Sequence, residues 1–445
     1  MSADKKRDLL NKPIAATLKS MTVPMAMGMI ALMSFNLIDT FFIGLLGTNE
    51  LAAISFTFPV TFTVISLIIG LGIGTSAVIA RSLGSGDESL ARDQATTALF
   101  VSLILVSLLS SLGLIFIEPI FKLLGSNDII LKHINDYMSL WYFSSVFLVL
   151  PMVGNSVLRA SGDTKTPSLI MGAGGAINAI LDPMFIFGFG PIPAMGIQGA
   201  AIATLLAWIC GSIIIVYTLS IRRGLMHLYL PVFARFKSAA KKILTIALPA
   251  AGANMLTPLA MAILTAIVAN YGKEAVAAFG VGQRLESIAS LVVLSLSMTL
   301  PPFISQNQGA GFYQRVRDAY KICCRFVLAW QFFIYLCLAA LAPLIAMAFA
   351  SEPEVTYLIK MFLWIVPLGY GVQGIVILTN SSFNALHLPN RALLLSFIRL
   401  FVCYVPCAYI GGELFGIIGL FAGCVLGNFI MSLLSYSVFQ RVKES

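Results

Sequence analysis

Long apolar runs follow one another along almost the whole chain, with only short polar segments between them. A membrane-spanning α-helix needs about 20 consecutive apolar residues, and these runs reach that length without the polar alternation of outer-membrane barrel strands. The pattern predicts twelve transmembrane helices, over residues 20–46, 51–80, 93–117, 135–158, 167–189, 196–220, 243–271, 275–305, 319–350, 355–383, 391–411 and 416–439. We therefore expect an all-α membrane protein.

The composition supports this prediction. Hydrophobic residues make up 59% of the 445 residues and charged residues only 11%, whereas soluble domains contain about 25% charged residues. A water-soluble fold is excluded, because it could not bury so much apolar surface. The first apolar run contains Pro24 and Asp39 and has no small-residue cleavage site behind a short core, so we expect no cleaved signal peptide.

The net charge of +9 follows the predicted topology. If both chain ends lie on one side of the membrane, the loops on that side receive 22 of the 28 basic residues, and the opposite loops receive only Lys122, Lys132 and Lys273. This bias is the positive-inside rule. It predicts a multi-pass protein of the inner membrane with both termini cytoplasmic, and it accounts for the positive charge without a nucleic-acid partner.

The two halves of the chain are repeats. A shift of 225 positions places Pro24 on Pro249, residues 84–86 on 309–311 and Arg92 on Arg317, and after the fifth helix the shift becomes 220. Because each half has an even number of helices, the repeats are parallel about an axis along the membrane normal. We predict two pseudo-symmetric six-helix lobes around a central cavity: residues 1–220 and 243–445, joined by a cytoplasmic linker at 221–242.

Small residues at a spacing of four line the sixth and twelfth helices, which predicts close helix packing. These residues are Gly199, Ala203, Ala207 and Gly211 and, in the second half, Gly419, Gly423 and Gly427. Residues 70–74 (GLGIG) superficially resemble a phosphate-binding loop, but they lie within an apolar run with no strand before them. No ATP-binding module is visible, so transport would be driven by an ion gradient.

Three acidic residues lie well inside predicted spans: Asp39, Asp182 and Glu286. An intramembrane charge costs about 2.5–3.5 kcal/mol on insertion scales, so such a residue normally faces a polar cavity and has a function. Asn178 and Asp182 are four residues apart and share a helix face. We expect Asp39, Asn178 and Asp182 to converge in the first lobe, where burial and a neighbouring carboxylate favour the protonated form of a carboxyl. The alternative is a structural role in hydrogen bonds between helices.

Other residues carry weaker expectations. Asn36 precedes Asp39 by about one turn, and Met33 belongs to a set of methionines suited to an adaptable substrate pocket. Arg284 and Glu286 are candidates for a substrate or gating role, with a structural role equally open. Pro24 interrupts the hydrogen-bond ladder of the first helix and can kink it. We expect no cofactor, no metal centre and no enzymatic activity, because the chain offers no grouping of nucleophile, base and metal ligands.

Several segments together resemble the multidrug and toxic compound extrusion (MATE) transporters over essentially the whole chain. They are residues 178–188 (NAILDPMFIFG), 195–204 (MGIQGAAIAT), 159–165 (RASGDTK), 284–287 (RLES) and 306–311 (QNQGAG). The resemblance implies two lobes in a V around a central cavity, and export of cationic and amphipathic compounds in exchange for protons or sodium. The NorM-like branch carries acids on helices seven and ten that are absent here, so the chain is more similar to the DinF-like branch.

The resemblance also implies site residues. Asp39, Asn178, Asp182 and Thr204 would form the cation site of the first lobe, with Tyr137 a weaker member and Pro24 the site of a helix bend. Asp39, Asn178 and Asp182 could alternatively hold Na⁺.

We predict a monomeric, proton-coupled antiporter of drug-like organic molecules. The alternatives are sodium-coupled drug antiport, a flippase of lipid-linked saccharides and a membrane-embedded enzyme. A flippase would need a basic cavity, for which only Arg284 and Arg399 are available.

Overall fold

A computed structural model describes residues 9–441, apart from the side chains of residues 36, 48, 49, 51 and 52. Within this part, ten helices are long and apolar enough to cross a membrane, and a pair of helices bent by 44° at Ser290 forms an eleventh span. The last of the ten, Pro389–Gln440, leaves helical geometry at Phe415 and Gly416 and so contains two spans. The total of twelve confirms the predicted number.

The spans, numbered α1 to α12, are all helical. Their bounds are α1 Ile14–Gly44, α2 Thr48–Gly84, α3 Glu88–Ile115, α4 Asp128–Ala160, α5 Lys165–Ile186, α6 Gly196–Tyr217, α7 Phe233–Ala269, α8 Lys273–Ala289 with Leu291–Gly309, α9 Tyr313–Phe349, α10 Pro353–Ile365 with Tyr370–Ala385, α11 389–414 and α12 417–440. A short helix, Ile117–Leu123, links α3 to α4.

Helix interruptions and early starts are the main departures from the predicted runs. The break in α8 leaves the carbonyl of Ala289 at a helix end, where it accepts a hydrogen bond of 3.1 Å from Gln331 Nε2 of α9, so the exposed acceptor is satisfied. In α10, Pro367 lies in a 3₁₀ turn at Val366–Gly369. The seventh helix begins at Phe233 rather than 243, because its first turns are basic and an apolar pattern does not detect them.

The lobes are α1–α6 and α7–α12, and they meet through symmetry-related helix pairs. The contacts join α2 to α7 and α1 to α8, which the repeat exchanges, and α2 to its own counterpart α8. In the first pair, a Cβ on Gly74 would lie 3.1 Å from Ala247 N. At the equivalent positions of the second pair, the hydroxyls of Thr22 and Thr299 hydrogen-bond at 2.8 Å. One interface is therefore packed through glycine, and the other is bonded through polar side chains.

Small residues allow backbones to touch where the sequence predicted close packing. A Cβ added to Gly199, Gly419 or Gly423 would collide with the backbone of the preceding helix, which confirms the small-residue faces of α6 and α12. Gly70 and Gly74 have the same role between lobes, since a Cβ on Gly70 would collide with the Ala247 carbonyl of α7 and one on Gly74 with the Ile243 carbonyl. Their helical setting and packing explain the glycines without a phosphate ligand.

The side of the molecule that carries the basic loops, the start of α1 and the end of α12, here called the basic face, holds the tightest contacts between lobes. A Cβ on Gly84 would lie less than 3.0 Å from the Gln306 carbonyl, and one on Gly309 equally close to the Arg81 carbonyl. The repeat shift maps each of these contacts onto the other. Gln306 Nε2 also donates to the Ala160 carbonyl at 2.6 Å. The lobes are thus locked together at the basic face.

The linker is fastened to the first lobe on this face. Arg223 forms an ion pair with Asp163, and Arg235 Nη1 lies 2.9 Å from Asp93 Oδ2. These two ion pairs hold the chain between α6 and α7 against α3 and the α4–α5 loop.

Candidate functional site

Asn178 organises the polar cluster of the first lobe. Its Nδ2 donates to Asp182 Oδ1 at 3.1 Å and to Thr204 Oγ1 at 3.3 Å. The first contact follows from the spacing of four on α5, and the second crosses to α6. One amide therefore ties together the two helices that carry the predicted residues, and Asp182 is completely buried.

Asp39 of α1 joins this cluster from a third helix. Asp39 is half-buried, and its carboxyl lies close enough to that of Asp182 for the two to interact electrostatically. Two ionised carboxylates are both hydrogen-bond acceptors, and at close range they repel each other. Asp39 Oδ1 and Asp182 Oδ2 are buried and have no hydrogen-bond donor within the described residues. The cluster thus presents acceptor oxygens that a proton or a small cation would satisfy.

The cluster lies near the face opposite the basic one. Asp39 is five residues before the end of α1, and Asp182 is four residues before the end of α5, which places them roughly 6–8 Å from those helix ends at 1.5 Å per residue. Tyr137 of α4 is close enough to interact electrostatically with both carboxyls. All five predicted coupling residues are therefore gathered in one place, although they come from α1, α4, α5 and α6.

The cluster is suited to protons or to a hard monovalent cation. Its free groups are oxygen acceptors, which Na⁺ prefers over nitrogen or sulfur by the same rule that holds for other hard cations. Within residues 9–441, no group of three or more His, Cys, Asp or Glu side chains is placed to hold a metal ion. The chemistry available here is reversible binding of a small cation by two carboxyl groups.

The remaining predicted residues are dispersed. Pro24 is half-buried within α1, which stays helical through it, and Met33 is half-buried with no polar partner among the described residues. The side chain of Asn36 lies outside the described part. Arg284 is exposed on α8, whereas Glu286, two residues on, turns inward and accepts a hydrogen bond of 2.9 Å from Gln373 Nε2. The two are thus on different faces, and only Glu286 enters the second lobe.

The sequence did not reveal a polar chain in the second lobe that continues from Glu286. Gln373 Oε1 accepts from Asn428 Nδ2 at 3.4 Å, and Asn428 Oδ1 accepts from Arg399 Nε at 3.3 Å. These residues lie on α8, α10, α11 and α12. The available signal was a few polar residues within each apolar run, but the runs do not indicate which of these residues meet.

Comparisons with known proteins agree with this architecture. The family model described as MatE matches residues 24–184 and 249–410, one match in each half. A relative named FAD transporter, from Shewanella oneidensis, is 42% identical over 98% of this chain and 96% of its own length. The probable multidrug resistance protein YoeA of Bacillus subtilis is 25% identical over 89% of this chain and 87% of its own. The crystal structure of the Vibrio cholerae MATE transporter VcmN in the bent form superposes with a TM-score of 0.91 at 34% identity, covering 98% of both chains.

Proposed function

Because the chain belongs to the MatE family, whose members are membrane transporters and not enzymes, we propose that it is a proton-coupled exporter of organic molecules. The observation that carries the proposal is the pair of neighbouring carboxyls, Asp39 and Asp182, which have two buried oxygens that lack donors within the described residues. A group that gains and loses a cation during a transport cycle needs this kind of unsatisfied acceptor. The proposed location is the inner membrane, with both termini cytoplasmic, and the proposed active unit is a monomer.

The cycle begins with the lobes closed at the basic face. Protons enter from the opposite face, one to two helix turns above the carboxyls, and neutralise the cluster. Neutralisation removes the repulsion between the carboxyls and allows α1 and α5 to adjust, so that substrate is released outward. The lobes then part at the basic face, the proton leaves to the cytoplasm, and substrate binds again. One charge moving across the membrane supplies about 2.3 kcal/mol per 100 mV, which corresponds to roughly fortyfold accumulation.

Two substrate classes have support. The Shewanella oneidensis relative, at 42% identity over nearly the full length, is named an FAD transporter, so we place flavin dinucleotide first. The more distant YoeA is named a probable multidrug resistance protein, which supports the amphipathic and cationic drugs expected from the sequence as the second class.

The test is transport into proteoliposomes with the pH gradient and the sodium gradient imposed separately. FAD and ethidium serve as the anionic and cationic substrates. We expect the imposed pH gradient to drive accumulation of substrate against the substrate's own concentration gradient. In Asp39→Asn this accumulation should stop. Transport that follows only sodium would replace the proton by Na⁺ at the same cluster. Transport of neither substrate under either gradient would reject the proposed function.

A further inference from the structure

The polar chain in the second lobe separates two opposite charges without letting them touch. Glu286 and Arg399 stand at its ends, with Gln373 and Asn428 between them. Each amide donates toward the glutamate and accepts from the arginine side. Within residues 9–441, no acidic oxygen lies within 4.0 Å of the Arg399 guanidinium. An arginine within a membrane span normally pairs directly with another charged side chain or a carbonyl, so the bridge of two amides is the unusual feature.

The two terminal nitrogens of the Arg399 guanidinium, here called its recognition edge, are not used within the chain of hydrogen bonds. Arg399 uses Nε for Asn428, and its two terminal nitrogens make no hydrogen bond to any described residue. Arg399 as a whole is only half-buried, and neither terminal nitrogen is among the buried atoms without a partner. Arg399 bonds Asn428 of α12, which continues to Gln373 of α10 and Glu286 of α8, so the side chain lies on the side of α11 that faces the other helices of the lobe. The Nη edge of arginine matches the two oxygens of a phosphate or carboxylate.

Two local features support a ligand role for this position. Arg399 lies in a π-helical stretch, Ile398–Tyr404, and π-bulges are frequent at functional sites. Tyr370 precedes Gln373 by three residues on α10 and so shares its face. The Tyr370 hydroxyl is buried and has no hydrogen-bond partner in the part of the chain that is described. The cluster thus has a second unused donor.

Alignment of the two repeats shows that the lobes differ chemically at this cluster. The shifts that align the halves place Arg399 on Gly174, Glu286 on Thr61 and Asn428 on Trp208. The first lobe therefore has no counterpart of this chain, and its own cluster is acidic without a base. An organic anion would be repelled by Asp39 and Asp182, whereas the second lobe offers it a guanidinium whose charge Glu286 only partly offsets.

We propose that Arg399 is the anion-binding residue of the second lobe, where its Nη edge takes the phosphate or diphosphate group of an anionic organic substrate. This inference rests on the proposed export function and names the substrate class and the lobe that binds it. Glu286, held two amides away, lowers the cost of the arginine in the membrane and positions the network without occupying its recognition edge. The coupling cation and the substrate anion then occupy different lobes.

The test compares flavins with and without phosphate groups. FAD and FMN carry phosphate groups and riboflavin carries none, so binding is measured for all three by flavin fluorescence on the purified protein, together with ethidium. In Arg399→Gln we expect FAD and FMN affinity to fall about ten- to a hundredfold, the loss expected for charge-assisted hydrogen bonds. Riboflavin and ethidium should stay within twofold. Arg391→Gln, which removes an exposed arginine from the start of α11, is the matched control and should change nothing.

A second variant distinguishes loss of binding from loss of folding. Removing Arg399 alone leaves Glu286 without its compensating charge, so Glu286→Gln with Arg399→Gln restores a neutral chain of amides. This double variant should fold as the unaltered protein does and still lose FAD and FMN. Glu286→Gln alone should retain or strengthen FAD binding.

Three outcomes would overturn the inference. They are unaltered FAD binding in Arg399→Gln, equal loss of riboflavin and ethidium in the double variant, and failure of the unaltered protein to bind FAD or FMN. In each of these cases, gradient-driven ethidium transport would leave the exporter function standing. Loss of all transport in the unaltered protein would instead reject that function.

Discussion

The reciprocal glycine contacts at the basic face predict how the closed state can be weakened. Gly84 of α2 lies against the Gln306 carbonyl, and Gly309 of α8 lies against the Arg81 carbonyl. A methyl group at either position cannot be accommodated by rotating a side chain, because the obstacle is backbone. Gly84→Ala and Gly309→Ala should therefore push the lobes apart at this face and favour the state in which it is open.

The size of the effect follows from overpacking. An added carbon would lie closer than 3.0 Å to a carbonyl oxygen, and extra methylene groups in a packed interface cost about 1–3 kcal/mol. That cost applies only while the lobes are closed, so the ratio of closed to open molecules should fall roughly 5- to 150-fold. The gain in helix propensity from glycine to alanine, about 1 kcal/mol, is present in both states and cancels.

The assay is a distance distribution between spin labels at positions 89 and 314, which the repeat relates and which are exposed on the two lobes. The labels are placed in a background without the seven native cysteines. Both glycine variants should populate a longer distance than the parent. Gly280→Ala is the control, because a Cβ at this helical glycine of α8 meets nothing within 4 Å.

The reasoning would be refuted if Gly84→Ala and Gly309→Ala gave the same distances as Gly280→Ala. The contacts would then be incidental to the closed state. A shift in only one of the two variants would contradict the reciprocity of the contacts but not the overpacking argument.

Three further predictions concern single side chains. Asp39→Asn should abolish gradient-driven export while the amount of folded protein in the membrane is unchanged, and full pH-dependent transport in this variant would reject the coupling scheme. Asn178→Ala removes the donor shared by Asp182 and Thr204. We expect the binding free energy of the coupling cation to weaken by about 1–3 kcal/mol, so that half-maximal transport needs a roughly 5- to 150-fold higher concentration of that cation. Transport kinetics like those of the parent would contradict this prediction. Burial, and then the charge of Arg81, lower the pKa of His387 to about 4 from 6.5. Between these pH values the unfolded chain binds a proton at His387 that the folded protein does not bind. The free energy of unfolding should therefore decrease as the pH is lowered from about 6.5 to 4, by at most about 1.4 kcal/mol per pH unit. His387→Gln should flatten this dependence in thermal unfolding at pH 7 and pH 5, and an equal slope in both proteins would show that the ring titrates normally.

The sequence alone determined the class of fold and the composition of the first site. Twelve apolar runs require helices, because a backbone in hydrocarbon must satisfy its own hydrogen bonds. The shift of 225 residues required two related lobes, and the spacing of Asn178 and Asp182 placed them on one helix face. These features are local or periodic, so they can be read without knowing which helices are neighbours.

Only the tertiary structure decided which polar groups meet. Four polar residues lie in four separate runs: Glu286, Gln373, Arg399 and Asn428. Their chain of hydrogen bonds exists because α8, α10, α11 and α12 surround one interior. The same holds for the reciprocal contacts of Gly84 and Gly309, whose symmetry follows from the repeat but whose closeness depends on how the lobes pack. A one-dimensional pattern fixes the face that a residue occupies on its own helix. The partner across the gap depends on helix order and tilt, which are set by the summed packing of many weak contacts.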